Sequence, residues 1–152
     1  MKIFLLTHKR EIKRLTNTGS IAVKHAGEII ERILWERVSP DDHLVNLLEN
    51  NNALLLYPTA NEDNVNINNF DNIVIIDGTW QEAQKIYNQS PYLKVAPKTA
   101  LSVSHQSIFQ LRRNQREGGL CTVECVIELL RLKGRHQLAD QLTIQFNLFN
   151  QR

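Results

Sequence analysis

Apolar runs alternate with amphipathic stretches along the chain. The runs predict strands at 2–7, 28–37, 53–57, 73–76 and 101–104, although residues 28–37 also fit a helical period and favour a strand only slightly. Helical spacing and start signals predict helices at 21–26, 40–49, 79–88, 121–133 and from 136 onwards. Ser39 is the expected cap of the second helix, with Pro40 at its first position. This order predicts an α/β fold, a single domain with a mostly parallel sheet flanked by helices.

The stretch 73–80 is the strongest candidate for a functional site. Its four large apolar residues, 73–76, are typical of a strand buried on both faces, and the run ends abruptly on Asp77, Gly78 and Thr79. Ligands of open α/β sheets bind outside the carboxyl ends of the strands, which is where Asp77 stands. Two interpretations of Asp77 remain open. It either caps the following helix or is a partly desolvated carboxylate that acts as a general base or an orienter.

A second candidate segment precedes the helix predicted at 121–133. Gly118 and Gly119 offer backbone N–H groups close to a helix N-terminus, an arrangement that suits a carboxylate or a phosphate. Glu124 stands three residues after Cys121, which is the spacing of a capping box, and Thr122 is the alternative cap. A plain helix start and a ligand-binding turn are both compatible with this pattern.

Composition excludes several classes of protein. With 152 residues, 42% of them hydrophobic, the chain can bury about two thirds of its unfolded surface in one core. No apolar run approaches the roughly 20 residues that span a bilayer, and the apolar stretch at residues 3–6 is too short for a signal peptide. We therefore expect a cytoplasmic protein. Neither the two cysteines nor the five histidines have the spacing of a metal site, so no metal is expected.

The distribution of charge is more informative than the net charge of +2. No lysine or arginine lies between Arg37 and Lys85, and eight of the 16 acids fall there, so the remainder carries 18 basic residues against eight acids. Basic residues concentrate in two short segments, 9–14 and 112–116. Solvated surface is one explanation of these segments, and contact with the phosphates of a polyanion is the other.

Five short motifs follow one another along the chain: Asn17-Thr18-Gly19, Leu56-Tyr57-Pro58, Asp77-Gly78-Thr79-Trp80, Leu111-Arg112-Arg113 and Thr122-x-Glu124. In order and approximate spacing they resemble the DTW-domain family over about residues 8–133, and Asp-Gly-Thr-Trp after an apolar strand is the family's naming motif. Known members are tRNA-uridine aminocarboxypropyltransferases with a fold similar to that of SPOUT RNA-modifying enzymes. The resemblance implies a SPOUT-like fold with a C-terminal knot, S-adenosylmethionine as the group donor, and tRNA as the partner.

The resemblance also implies a role for each matching position. Asp77 would accept the N3 proton of a uridine or position the uracil. The cofactor would be bound by Tyr57, Pro58, Gly78, Thr79, Trp80, Leu101, Gly119, Leu120, Thr122 and Glu124. The tRNA would be held by Lys9, Arg10, Asn17, Thr18, Gly19, Arg112 and Arg113.

The chain departs from the family pattern in two ways. Many members carry a cysteine cluster ahead of the first strand, whereas this sequence starts directly at the strand, and the family usually has Ser and Ala where Cys121 and Cys125 stand. Two other functions therefore stay open, a SPOUT-like S-adenosylmethionine-dependent RNA methyltransferase and a non-catalytic RNA-binding module. The sequence leaves a monomer and a homodimer equally open.

Overall fold

A computed structural model describes residues 1–58, 65–101, 109 and 120–151. Its strands are β1 (Lys2–Thr7), β2 (Ile30–Leu34), β3 (Leu54–Leu56), β4 (Asn72–Asp77) and β5 (Lys98–Thr99). Its α-helices are α1 (Gly19–His25), α2 (Asp42–Glu49), α3 (Trp80–Asn88), α4 (Pro91–Lys94), α5 (Thr122–Leu132) and α6 (His136–Asn150), with a 3₁₀ turn at Ile67–Asn69. Within this part of the chain, no helix is long and apolar enough to cross a membrane.

The five strands form one parallel sheet in the order β2-β1-β4-β3-β5. The predicted α/β class with a parallel sheet flanked by helices is therefore confirmed, and so is the strand assignment within 28–37. The C-terminal knot stays a prediction, because most of the chain between β5 and α5 lies outside the described residues. The strand expected at 101–104 falls largely in the same segment.

Side chains that alternate along the central strands fill two cores, one on each face of the sheet. Ile3 and Leu5 of β1 face the layer of α1, α5 and α6. Phe4 and Leu6 face the layer of α2, α3 and α4. β4 alternates in the same way, which explains why its four apolar residues form an unbroken hydrophobic run.

The two layers place a crevice at the carboxyl ends of β1 and β4. These strands are neighbours in the sheet, but β1 leads into α1 on one face and β4 leads into α3 on the other. Connections that leave in opposite directions mark the topological switch point, the usual ligand site of open α/β sheets. Asp77 is the last residue of β4 and stands at this point.

One local prediction was wrong, and one short helix was not predicted. The cap of α2 is Asp41, whose carboxylate accepts a hydrogen bond from Leu44 N at 2.9 Å, and not Ser39, because the helix begins two residues later than Pro40 suggested. The short helix α4 was not predicted; it begins at Pro91, because proline is favourable at a first helical position.

Candidate active site

Asp77 lies at the centre of a buried polar cluster. Its side chain is 0% exposed, and its backbone oxygen accepts a hydrogen bond from His8 N at 3.0 Å, which continues the pairing of β1 with β4. Thr79 Oγ1 caps α3 by accepting from Glu82 N at 3.2 Å, and Glu82 Oε1 accepts from Thr79 N in return. The helix-cap interpretation of Asp77 is therefore wrong, because Thr79 takes that place.

Four side chains donate to the Asp77 carboxylate. Thr122 Oγ1 donates to Oδ1 at 2.8 Å and Thr7 Oγ1 donates to Oδ2 at 3.2 Å. Asn17 Nδ2 lies 2.9 and 3.1 Å from the two oxygens, and Arg32 Nη2 lies 3.2 Å from Oδ2. The donors come from β1, from the segment before α1, from β2 and from α5, so the carboxylate joins four parts of the fold.

Burial raises the pKa of Asp77, because removing a carboxylate from water disfavours its charged form. The hydrogen bond from Thr122, the charge of Arg32 and the amide of Asn17 act in the opposite direction. Glu11, a second buried carboxylate, adds to the rise. Because donors from four parts of the chain converge on it, the Asp77 carboxylate is held in a fixed position.

Two further carboxylates, Glu11 and Glu82, adjoin this cluster. Glu11 is 0% exposed and accepts from Asn17 Nδ2 at 3.1 Å and from Arg14. Arg14 also makes a two-point contact with Glu82, at 2.8 and 2.9 Å. Burial by itself would raise the pKa of Glu82, but Arg14 and the N–H of Thr79 bring that pKa down to about 2. The segment between β1 and α1 is thereby tied both to Asp77 and to α3.

Two glycines of the motifs leave space that these contacts need. A Cβ at Gly19 would lie 2.6 Å from Asp77 Oδ2, closer than a Cβ can approach, and 3.1 Å from Arg32 Nη2, which is a tight contact. A Cβ at Gly78 would lie 3.1 Å from Glu82 Cβ and 3.5 Å from His8 Cβ. Gly19 is therefore required by the Asp77 cluster, and Gly78 lets α3 start close to β1.

The start of α5 is also tied to the cluster. Thr18 Oγ1 accepts from Val123 N at 3.1 Å, and Glu124 Oε1 accepts from Cys121 N at 3.0 Å, as the capping-box spacing predicted. Cys121 is buried, and burial raises the pKa of its thiol well above the usual value, so it is not a reactive thiolate at neutral pH. Two backbone N–H groups at this helix start thus already have acceptors within the protein.

An aromatic cluster occupies the other side of Asp77. Tyr57 follows β3 and stacks on Tyr87 of α3, with ring centroids 4.2 Å apart and planes 11° apart. Trp80 lies 5.7 Å from Tyr57, and Lys98 Nζ lies 5.9 Å from the Tyr87 ring. The three rings are half-buried at the carboxyl edge of the sheet, where they form an apolar wall.

The structure brings together some of the predicted site residues and separates others. Asn17, Thr18 and Gly19 are buried beside Asp77, while Lys9 and Arg10 are exposed on the segment after β1. Pro58, Leu101 and Leu120 are partly buried next to undescribed segments. Arg112, Arg113 and Gly119 lie outside the described residues.

Several residues of the site were not predicted from the sequence: Thr7, Glu11, Arg14 with its ion-pair partner Glu82, Arg32 and Tyr87. The spacing of Glu11, Arg14 and Asn17, three residues apart, was the available signal for an inward face of that segment. Arg32 had no comparable signal, since its position depends on the register of β2 with β1, which pairs Arg32 with Leu5.

The fold and site define a class, the α/β proteins with helices on both faces of a parallel sheet and a polar site at the switch point. The chain belongs to the DTW domain family, whose sequence model matches residues 1–152. It is similar to tRNA-uridine aminocarboxypropyltransferase 2 of Drosophila melanogaster, at 33% identity over 93% of this chain and 60% of the relative. The protein of the same name from Mus musculus is 26% identical over 94% of this chain and 51% of the relative. The chain thus spans between half and two thirds of these relatives. No solved structure matches it.

Proposed function

We propose that the protein transfers the 3-amino-3-carboxypropyl group of S-adenosylmethionine to N3 of a tRNA uridine and releases methylthioadenosine. The observation that carries this proposal is the similarity, over more than nine tenths of this chain, to two relatives named tRNA-uridine aminocarboxypropyltransferase. The polar cluster at the switch point supports it, because group transfer requires a fixed site at which two substrates meet.

The described residues fit an adenosyl sulfonium compound beside Asp77. The half-buried rings of Tyr57 and Trp80 offer flat apolar surface to an adenine, and aromatic faces also attract a sulfonium cation. Pro58 and Leu101 would extend this wall, and Leu120, Thr122 and Glu124 would contact the polar groups of the cofactor. The family resemblance adds Gly119, which lies outside the described residues. When bound, the sulfonium makes the carbon next to sulfur electrophilic.

Asp77 acts in this proposal by positioning and not as the proton acceptor. It is fully buried and its carboxylate already accepts from Thr7, Asn17, Arg32 and Thr122, so no uracil atom reaches it in this arrangement. It would keep Gly78 and the start of α5 at the fixed separation from each other that the reaction requires. Asn17, Thr18 and Gly19 would serve the same purpose, which leaves Lys9 and Arg10, with Arg112 and Arg113, for tRNA phosphates.

Incubation with bulk tRNA and S-adenosylmethionine, followed by mass spectrometry of the nucleosides, tests this proposal. The expected product is a uridine carrying one aminocarboxypropyl group, with methylthioadenosine in equal amount. A methylated nucleoside with S-adenosylhomocysteine would indicate a methyltransferase instead. Binding of tRNA without any binding of S-adenosylmethionine would indicate an RNA-binding module. Either of the last two results would overturn the proposal.

A further inference from the structure

His8 is a buried histidine at the switch point that the roles above do not use. It follows β1 directly, its backbone N–H donates to Asp77 O, and its ring is stacked on Trp35 with centroids 6.2 Å and planes 21° apart. Trp35 is itself fixed, because its Nε1 donates to Ser90 Oγ at 2.9 Å. The imidazole therefore has one orientation, set by the strand end and by Trp35.

The contacts of the ring define its tautomer. Nδ1 accepts a hydrogen bond from Arg10 N at 3.1 Å, so the single proton of the neutral ring lies on Nε2. Glu82 Oε2 lies 3.5 Å from Nδ1, which is longer than a hydrogen bond, and this carboxylate is already bound by Arg14.

Burial is the main reason that the neutral form of the His8 ring is favoured. Burial lowers its pKa, and the cations Lys85 of α3 and Arg10 and Arg14 of the segment after β1 lower it further. Glu82 is the group that acts in the opposite direction. A second proton on the imidazole is disfavoured near neutral pH. His8 can therefore donate a hydrogen bond through Nε2, but it is poorly suited to act as a proton acceptor.

The Nε2–H group of His8 is not fully enclosed, although the side chain as a whole is only 9% exposed. Within the described part of the chain, the enclosed side-chain nitrogen or oxygen without a hydrogen-bond partner is Arg32 Nε. Nε2 of His8 makes no hydrogen bond to a described residue, and it is therefore not enclosed. A fixed N–H group without an acceptor among the described residues thus stands directly after β1, beside the end of β4 that carries Asp77.

We infer that His8 is a catalytic residue that donates a hydrogen bond from Nε2 to a carbonyl oxygen of the uracil. This inference rests on the proposed function. N3 of the uridine releases its proton to solvent, and its electron pair forms the bond to carbon while the carbon–sulfur bond breaks with its electrons going to sulfur. The negative charge that develops on N3 spreads to the two neighbouring carbonyl oxygens, and a fixed donor at one of them stabilises it.

Three variants test this role: His8→Phe, His8→Gln and His43→Phe. Phenylalanine keeps the stacking on Trp35 but has no donor, whereas the amide nitrogen of glutamine lies near the position of Nε2. We expect H8F to lower kcat by about 100-fold and H8Q to retain most of that activity, with tRNA affinity unchanged in both. The control H43F changes an exposed histidine on α2 and should behave like the wild type.

A second substrate separates a catalytic role from a structural one. In tRNA containing 5-fluorouridine, N3 is more acidic, so its reaction depends less on a hydrogen-bond donor. The loss of kcat in H8F relative to the wild type should therefore be smaller on this tRNA. Wild-type rates for H8F, an equal deficit on both tRNAs, or H8Q as impaired as H8F would each overturn the inference. If H8F does not fold, His8→Asn replaces it, because its amide lies nearer to Nδ1. A wild-type protein that forms no product overturns the proposed function as well, whereas an active H8F overturns this inference alone.

Discussion

On the β1 side of Asp77 the carboxyl edge of the sheet is a closed polar cluster, whereas on the β3 side it is a half-buried stack of aromatic rings. In the polar cluster the side chains around Asp77 are fixed by directional hydrogen bonds, and a single added Cβ at Gly19 would collide with Asp77. The aromatic side is held by ring contacts between Tyr57, Trp80 and Tyr87, which are non-directional by comparison. The polar side therefore fixes geometry, and the aromatic side supplies surface.

The largest effect should follow removal of the central carboxylate. Asp77→Ala removes the acceptor shared by four side chains and leaves the partly buried Arg32 guanidinium without its carboxylate partner, so we expect the free energy of unfolding to fall by about 3–5 kcal/mol. Asp77→Asn keeps the shape of the side chain but places an amide N–H group against hydrogen-bond donors. The free energy of unfolding should then fall by about 2 kcal/mol. Urea denaturation measures both. Asp71→Ala, an exposed aspartate at the other end of the same strand, is the control. If D77A were as stable as D71A, the polar side would not fix the geometry of the site, and its contrast with the aromatic side would be lost.

A smaller loss is expected at the glycine that packs on the cluster. Gly19→Ala brings a methyl group to 2.6 Å from Asp77 Oδ2, and relieving this clash should cost about 1–3 kcal/mol of stability. A double-mutant cycle identifies the cause, because the same substitution in the D77A background has no carboxylate to displace. Additive effects of the two changes would show that Gly19 acts through some other contact.

Acid should act on the polar side through Glu82. Its pKa of about 2 lies below the ordinary value of 4.5, so its ionised form stabilises the folded protein above pH 4.5, and this stabilisation is lost as the pH falls towards 2. Asp77, with a raised pKa, has the opposite sign. Unfolding free energy measured between pH 6 and pH 3 should therefore fall less steeply in Glu82→Gln than in the wild type. Parallel curves would contradict the assigned ion pair with Arg14.

The smallest effect on stability is expected on the aromatic side. Tyr87→Leu removes one ring of the stack with Tyr57, a contact that contributes about 0.5–1.5 kcal/mol. Tyr87→Phe keeps the stack and serves as the matched control. A loss in Y87L as large as that in D77A would mean that the aromatic rings also fix the geometry of the site.

Sequence patterns predicted the location of the site better than its internal contacts. The unbroken apolar run before Asp77 identified a central strand and its carboxyl end, which is a local property. Thr122 and Asn17 were expected at the site because of their motifs, but the hydrogen bonds that they donate to Asp77 depend on helix docking that no local pattern encodes. Thr7 is another example, since its place beside Asp77 follows from the register that pairs these two residues.

The wide separation of the Asp77 donors along the chain has a consequence for folding. Thr7, Asn17, Arg32 and Thr122 lie 70, 60, 45 and 45 positions from Asp77. Contacts of such sequence separation require the closure of long loops and form late in folding. During synthesis the sheet from β1 to β5 is complete in sequence before Thr122 has been made. The carboxylate therefore acquires its last donor only when α5 docks, so the formation of the site reports the docking of this helix on the finished sheet.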